Sequence, residues 1–243
     1  MIDLFGRRGR ADAAGAVRID PAQFWVTVIT PTTGKGSLED LIVSVDGQTV
    51  GERILHLLLF DETRSEGAPA PETYDGPHRR ALVLPWGLGR QGDAPGSALR
   101  AVALMAAPTP WVTFADDDVR WEPDHVQRLL DAAGSLNWSS TLRNIWAPDG
   151  SFIGVDRFES VGDDPGRKVP EEMLDNNCMM FRRELGVVAA QLYRETRDYN
   201  DDRLMYGYLK SQAGPRGTTG QPTIHQICPD RLVGFFRHHC SVG

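Results

Sequence analysis

The stretch PWVTFADDDVRWEP, residues 110–123, joins an apolar run to three consecutive carboxylates, Asp116, Asp117 and Asp118. The run is rich in aromatic and β-branched residues, which predicts a buried strand over 110–118. Because side chains alternate along a strand, we expect Asp116 and Asp118 to face one side and Asp117 the other. Adjacent carboxylates are costly away from water, so they need solvent, a basic partner or a metal ion.

Two interpretations of these acids follow from their chemistry. Carboxylate oxygens suit hard divalent cations such as Mg²⁺ or Mn²⁺, and an Asp-x-Asp pair at a strand end fits a metal that also binds a diphosphate. The alternative is a solvated turn that caps the following helix.

On either side of this stretch, strand and helix patterns alternate. Strands are predicted at 24–30, 53–62, 81–85 and 110–118, and helices at 37–48, 96–107 and 122–134. Ser37 is expected to be the N-cap of the first helix, and the loop 63–78 is too polar to pack. The order predicts an α/β fold with a mostly parallel sheet, whose ligands bind at the carboxyl ends of the strands. Asp61 and the three acids all fall at such ends.

The second half has a less regular pattern. It predicts a hairpin over 139–158, a strand running into a helix over 176–185, and a helix over 201–214. Three glycines in 214–223 indicate a flexible lid. The alternating pattern over 231–243 predicts an edge strand or a closing segment. No linker separates the halves. We therefore expect one domain, 21–243, with a nucleotide-binding half at 21–134 and an acceptor-binding half at 135–243, after a flexible arm over 1–20.

The composition is that of an ordinary globular protein. The 243 residues are 41% hydrophobic and 24% charged, and the formal net charge of −7 gives no general attraction for nucleic acid. Three cysteines without a CxxC spacing favour a reducing compartment. No apolar segment reaches the length of a signal peptide or a membrane span, so a soluble cytoplasmic protein is expected.

Six pieces of the chain, in order, resemble family 2-type glycosyltransferases of the GT-A fold. They are VITPTTGKGSLEDLIVSV (28–45), LLLFDE (57–62), GSALRAVALMAAPTPWVTFADDDVRWEPDHV (96–126), DNNCMMFRREL (175–185), DDRLMYGYL (201–209) and FRHHCS (236–241). The resemblance implies a GT-A-like α/β domain, with helices flanking a mostly parallel central sheet and a smaller mixed region on the acceptor side. It also implies a nucleotide-sugar donor, UDP-linked in our interpretation, a divalent metal (Mn²⁺ or Mg²⁺), and transfer to an acceptor hydroxyl.

The resemblance places individual residues at the donor and the metal. Asp61 is expected to bind the base, Asp116 the ribose and the metal, and Asp118 the metal directly. The full set expected at the donor is Pro31, Thr32, Asp61, Arg90, Asp116, Asp117 and Arg237. The expected metal ligands are Asp118, Asp116 and His239, and His225 and His238 are competing candidates.

The remaining site residues belong to the acceptor side. Asp201 and Asp202 open a helix, where acids also favour the helix dipole without any chemistry. In the resembling family the second acid of this pair takes the proton from the acceptor, which makes Asp202 the candidate base and implies inversion. The family usually has Glu at the first position, so Asp201 leaves the register open by one residue. Asp175 and Asn176 are expected to line the acceptor pocket.

Two other classes of function stay open. Lys35 and two glycines after the first strand also fit a nucleotidyltransferase acting on a sugar phosphate. A non-catalytic nucleotide- or sugar-binding module is the second alternative. The donor sugar, the base and the acceptor are not specified by the sequence, and the acceptor can be a glycan, a lipid-linked group, a protein or a nucleic-acid base.

Overall fold

The computed structural model of the chain describes residues 21–61, 65–84, 96–164, 172–195 and 200–241. In these ranges the strands are β1 (Val26–Thr32), β2 (Ile54–Asp61), β3 (Arg79–Leu84), β4 (Trp111–Phe114), β5 (Val119–Trp121), β6 (Trp138–Trp146), β7 (Phe152–Asp156), β8 (Met179–Arg182), β9 (Gly217–Ile227) and β10 (Cys240–Ser241). The helices are α1 (Ser37–Asp46), α2 (Ser97–Ala106), α3 (His125–Ala133), α4 (Arg183–Glu195), α5 (Asp201–Gln212) and α6 (Val233–His239). The predicted arm, residues 1–20, lies outside the described residues.

All the strands belong to one mixed sheet. Its main path runs β10-β7-β6-β8-β4-β1-β2-β3, and β9 pairs with both β6 and β5. The strands β3, β2, β1 and β4 are mutually parallel, whereas β8 is antiparallel to β4 and β6 is antiparallel to β8 and β7. The parallel first half and the mixed second half agree with the pattern expected from the sequence.

The apolar spacing of the helices explains how the sheet is covered. All eight residues of β2 are buried, as expected for a central strand with packing on both faces. The helix α1 buries Leu38, Leu41, Ile42 and Val45, at the three- and four-residue spacing of one helical face. These side chains share a cluster with residues of α3, while α2, α4 and α5 contribute to a second cluster. The helices therefore form two groups around the sheet.

Two local predictions about the first half are wrong. The N-cap of α1 is Gly36, and Ser37 is already helical, with no side-chain capping bond. The loop 63–78 is partly packed within its described part, since Tyr74 is buried and stacks on Phe60 with ring centroids 5.6 Å apart. Pro71 is buried as well, so two apolar residues are enough to pack a segment that is otherwise rich in polar residues and prolines.

The predicted lid over 214–223 is also wrong, because most of it belongs to β9. A Cβ added to Gly217 would lie 2.0 Å from the carbonyl oxygen of Ala132. This glycine therefore permits close backbone packing rather than movement. At the C-terminal end, the predicted edge strand is limited to β10, which pairs with β7, and α6 precedes it. Within the described ranges, none of the helices combines the length and the apolar character needed to cross a bilayer.

Candidate active site

A cleft of about 420 Å³ lies at the carboxyl ends of β1 and β2, beside the turn that follows β4. Its lining includes six of the residues selected from the sequence, namely Pro31, Thr32, Asp61, Asp116, Asp117 and Asp118. Thr33, Lys35, Gly96, Leu99 and Arg100 complete it. Parallel strands bring these positions together because their carboxyl ends share one edge of the sheet.

The three consecutive acids follow the end of β4 at Phe114 and lie on a turn. The strand predicted over 110–118 is therefore too long. Asp116 accepts hydrogen bonds from the guanidinium of Arg100 and from the Asn177 side-chain amide, the latter at 3.0 Å. Its backbone N–H donates to Asn177 Oδ1 at 2.6 Å. The side chain of Asn177 therefore bonds both the backbone N–H and the carboxylate of Asp116.

Asp117 has different partners, on the loop after β1. Its carboxylate accepts a hydrogen bond from the Thr32 hydroxyl at 2.7 Å and pairs with Lys35 Nζ at 3.3 Å. Asp117 is buried, and the Thr32 hydroxyl also accepts from the Gly34 N–H at 2.9 Å. The second acid thus joins the turn to the end of β1.

Asp118 differs from the other two acids because one of its carboxylate oxygens is unpaired among the described residues. Its Oδ1 is buried and has no hydrogen-bond partner among the described residues. Burial raises the pKa of Asp118 to about 7, and the charges of Asp116 and Asp117 add to the rise. A buried, unpaired carboxylate oxygen fits a hard cation. The described ranges contain no cluster of three or more His, Cys, Asp or Glu side chains arranged to hold a metal.

Arg100 was not selected from the sequence, although it occupies the centre of the site. It lies on α2 with its side chain 7% exposed, paired with Asp116 and, at 3.4 Å, with Asp201. Burial lowers the pKa of Arg100, but the carboxylates of Asp116 and Asp201 more than offset this and leave it raised. The available signal was a basic residue inside an otherwise apolar helix, which normally indicates a buried ion pair.

The acidic pair at the start of α5 lies next to this guanidinium. Asp201 accepts a hydrogen bond from the Ser97 hydroxyl at 2.7 Å in addition to its contact with Arg100. Asp202 accepts from the backbone N–H of Asn176 at 3.2 Å and forms no ion pair with a described Lys or Arg side chain. Burial, followed by the charges of Asp175 and Asp201, raises the pKa of Asp202 well above its usual range. The two acids are therefore chemically different.

Asp175 and Asn176, expected in the acceptor pocket, are held by internal contacts beside these acids. Asp175 pairs with the fully buried Arg143 and accepts from the Asn177 side-chain amide at 2.7 Å. Asn176 is buried and accepts a hydrogen bond from the Tyr193 hydroxyl. Both residues lie near the candidate base, and their role toward an acceptor stays a prediction.

The C-terminal candidates lie on α6, which packs against β7, and none of them lines the cleft. Arg237 and His238 are exposed, and His239 stacks on Phe235 with ring centroids 4.2 Å apart. His225 accepts from the Trp146 indole N–H at 3.1 Å, so its other ring nitrogen donates to Glu122 at 2.7 Å. Arg90 lies outside the described residues.

Comparison with solved structures finds the same fold in TarS from S. aureus. The crystal structure of TarS 1–349 superimposes with a TM-score of 0.61 at 16% identity, covering 90% of this chain and 67% of that chain. The complex of TarS 1–349 with UDP gives 0.58 at 15% identity, over the same shares. The complex with UDP-GlcNAc gives 0.57 at 16% identity, over 85% and 59%.

These likenesses confirm the GT-A-like single α/β domain that the sequence resemblance implied. In a longer TarS structure, the matched region covers 37% of that chain. No protein-family model matches the sequence, and no curated protein matches it significantly.

Proposed function

We propose that this chain is a metal-dependent glycosyltransferase that moves a sugar from a UDP-linked donor to an acceptor hydroxyl. The observation that carries the proposal is the convergence of Asp61 and the acidic turn on one cleft at the carboxyl ends of parallel strands, where Arg100 of the same lining pairs with Asp201 of α5. The TarS structures that contain UDP and UDP-GlcNAc support the choice of donor.

The nucleoside would lie along the end of β1 and the end of β2. Pro31 and Thr32 line this part of the cleft, and Asp61, which is buried, would accept a hydrogen bond from the base. Lys35 has its side chain 59% exposed while it contacts Asp117, so it has room to turn toward a phosphate. In this proposal, Lys35, which pairs with Asp117, would supply a cation to the diphosphate.

Asp118 would hold the divalent ion, together with oxygens of the diphosphate. Asp116 would contribute less, because Arg100 and Asn177 already bind its carboxylate. When bound, the ion would neutralise the charge that develops on the leaving diphosphate. The unpaired Oδ1 of Asp118 is the atom that makes this assignment specific.

Asp202 would be the general base that takes the proton from the acceptor hydroxyl. Asp201 is compensated by Arg100 and Ser97, whereas Asp202 keeps a raised pKa and hence a carboxylate with a strong affinity for a proton. Direct attack by the activated hydroxyl on the anomeric carbon inverts its configuration. Because the base acts only when deprotonated, the rate should rise as the pH passes through this raised pKa.

Three charge-matched variants test the assignment. Calorimetry with UDP and GDP, each with Mn²⁺, Mg²⁺ or EDTA, measures donor binding, and hydrolysis of UDP-GlcNAc and UDP-glucose measures turnover. Asp118→Asn should lose metal-dependent UDP binding by at least about tenfold. Asp202→Asn should keep this binding but lose about 10²–10⁴ in turnover. Asp131→Asn, an exposed position on α3, is the control and should change neither.

The same measurements separate the alternatives. If neither nucleotide binds under any condition, the proposal is wrong. A nucleotidyltransferase would release pyrophosphate from a nucleoside triphosphate, and a binding module would bind UDP without turning over any donor. If Asp201→Asn loses turnover and Asp202→Asn keeps it, the general base is Asp201 rather than Asp202.

A further inference from the structure

A second cavity, of about 450 Å³, lies next to the donor cleft, and Asp118 lines both. It is formed where the start of α1, β5 and the ends of β6 and β9 meet. The volume is in the range of small-molecule sites. A ligand in this cavity would therefore reach the same carboxylate that faces the donor.

The wall of the cavity contains a fixed aromatic ring. Trp146 donates its indole N–H to His225 at 3.1 Å and packs against Phe152 with ring centroids 5.0 Å apart. Since its polar atom is already bonded, the surface that Trp146 offers is apolar. Val119 and Ile227 extend this surface, and Ile227 is about half exposed.

The rim of the cavity is polar and charged. Arg120 and Asp40 form an ion pair there, with their side chains 55% and 53% exposed, and Ser37 adds a hydroxyl. A guanidinium next to a carboxylate offers donors and acceptors side by side, which suits neighbouring hydroxyl groups. In the metal-free protein the carboxylates of Asp40 and Asp118 would disfavour an anionic ligand, and an alkyl chain would make no use of the hydroxyl of Ser37 or of the Arg120–Asp40 pair.

We propose that this cavity binds a neutral saccharide unit of the acceptor. The apolar C–H face of a pyranose would pack on Trp146, while its hydroxyls would bond to the rim formed by Arg120, Asp40 and Ser37. The inference rests on the proposed function, because it identifies the chemical class of the acceptor. It assigns a purpose to an aromatic residue that lines none of the donor cleft.

Nuclear magnetic resonance of the whole chain tests it through the indole N–H of Trp146 and the amides of Gly150 and Ile227. Methyl β-D-glucopyranoside, N-acetylglucosamine and cellobiose, each to about 50 mM, should give saturable shifts at these positions, as expected for millimolar affinity. Trp146→Leu and the exposed rim variant Arg120→Gln should each weaken binding about tenfold. Trp25 is an exposed tryptophan immediately before β1, outside the lining of this cavity, so Trp25→Leu should leave saccharide binding unchanged.

The result that would overturn the inference is an absence of saccharide shifts at all three positions, or equal binding by Trp146→Leu and Trp25→Leu. Binding of an uncharged apolar probe such as N-phenyl-1-naphthylamine at these positions, without saccharide binding, would also overturn it. Titration with UDP and the diamagnetic ion Mg²⁺ should shift the amide signals of Thr32 and Lys35. Failure of that titration while the saccharide shifts remain would count against the donor proposal alone.

Discussion

Replacing Arg100 by Met should destabilise the protein far more than removing an exposed arginine. Arg100 is the positive group between Asp116 and Asp201, and Met keeps much of its length and apolar volume while removing the charge. The substitution would leave two carboxylates from different elements facing one another. Their repulsion would separate the acidic turn from the start of α5.

The exposure of the three side chains sets the size of the effect. Breaking a fully buried ion pair costs about 3–5 kcal/mol, and an exposed pair contributes about 0–1 kcal/mol. The side chains of Arg100 and Asp201 are 7% and 12% exposed, but that of Asp116 is 34% exposed. We therefore expect a loss of about 3 kcal/mol at neutral pH, or a fall in Tm of roughly 6–12 °C for a chain of this size.

Urea unfolding of Arg100→Met measures this loss, with Arg128→Met as the matched control. Arg128 pairs with Asp124 along one helix face, and the two side chains are 40% and 39% exposed, so its removal should cost less than about 1 kcal/mol. The loss in Arg100→Met should also be smaller near pH 4 than near pH 8, because protonation removes the uncompensated negative charge. Equal losses in the two variants would refute the idea that this ion pair holds the site together.

Two further predictions concern a backbone contact and a buried charge. Gly217→Ala should lower the free energy of unfolding by more than about 2 kcal/mol, because its Cβ would meet the Ala132 carbonyl. Gly234→Ala, which has open space in α6, should raise it by about 0.5–1 kcal/mol. Urea midpoints that shift in the same direction in the two variants would contradict this. Asp118→Asn should stabilise the metal-free protein. In the wild type the folded pKa of Asp118, about 7, lies above the ordinary 3.8, so the wild type loses stability as the pH rises from low values through 7. This loss, at most about 4 kcal/mol, is absent from the variant. Unfolding in EDTA should show the variant gaining on the wild type between about pH 4 and pH 8, and a pH-independent difference would contradict the buried, unpaired carboxylate.

The parts of the fold that could be predicted are those set by local pattern. The strands β1, β2 and β4 follow from short apolar runs, and their parallel order places Asp61 and the acidic turn at one edge. The role of Arg100 could not be found in this way, since its partners are 16 and 101 residues distant in the chain. Nor could β9, because the contact that requires Gly217 comes from the end of a separate helix.

The three consecutive acids can be understood through the partner that each one has. Asp116 is compensated by Arg100, and Asp117 by Thr32 and Lys35, so two of the charges hold the turn against α2 and β1. Burial, together with the negative potential that both acids retain, raises the pKa of Asp118, whose Oδ1 has no such partner among the described residues. A cation bound at Asp118 would relieve this unfavourable charge, so part of its binding energy would come from the removal of electrostatic repulsion already present in the protein. The turn that is costly without a ligand is, for that reason, well suited to bind one.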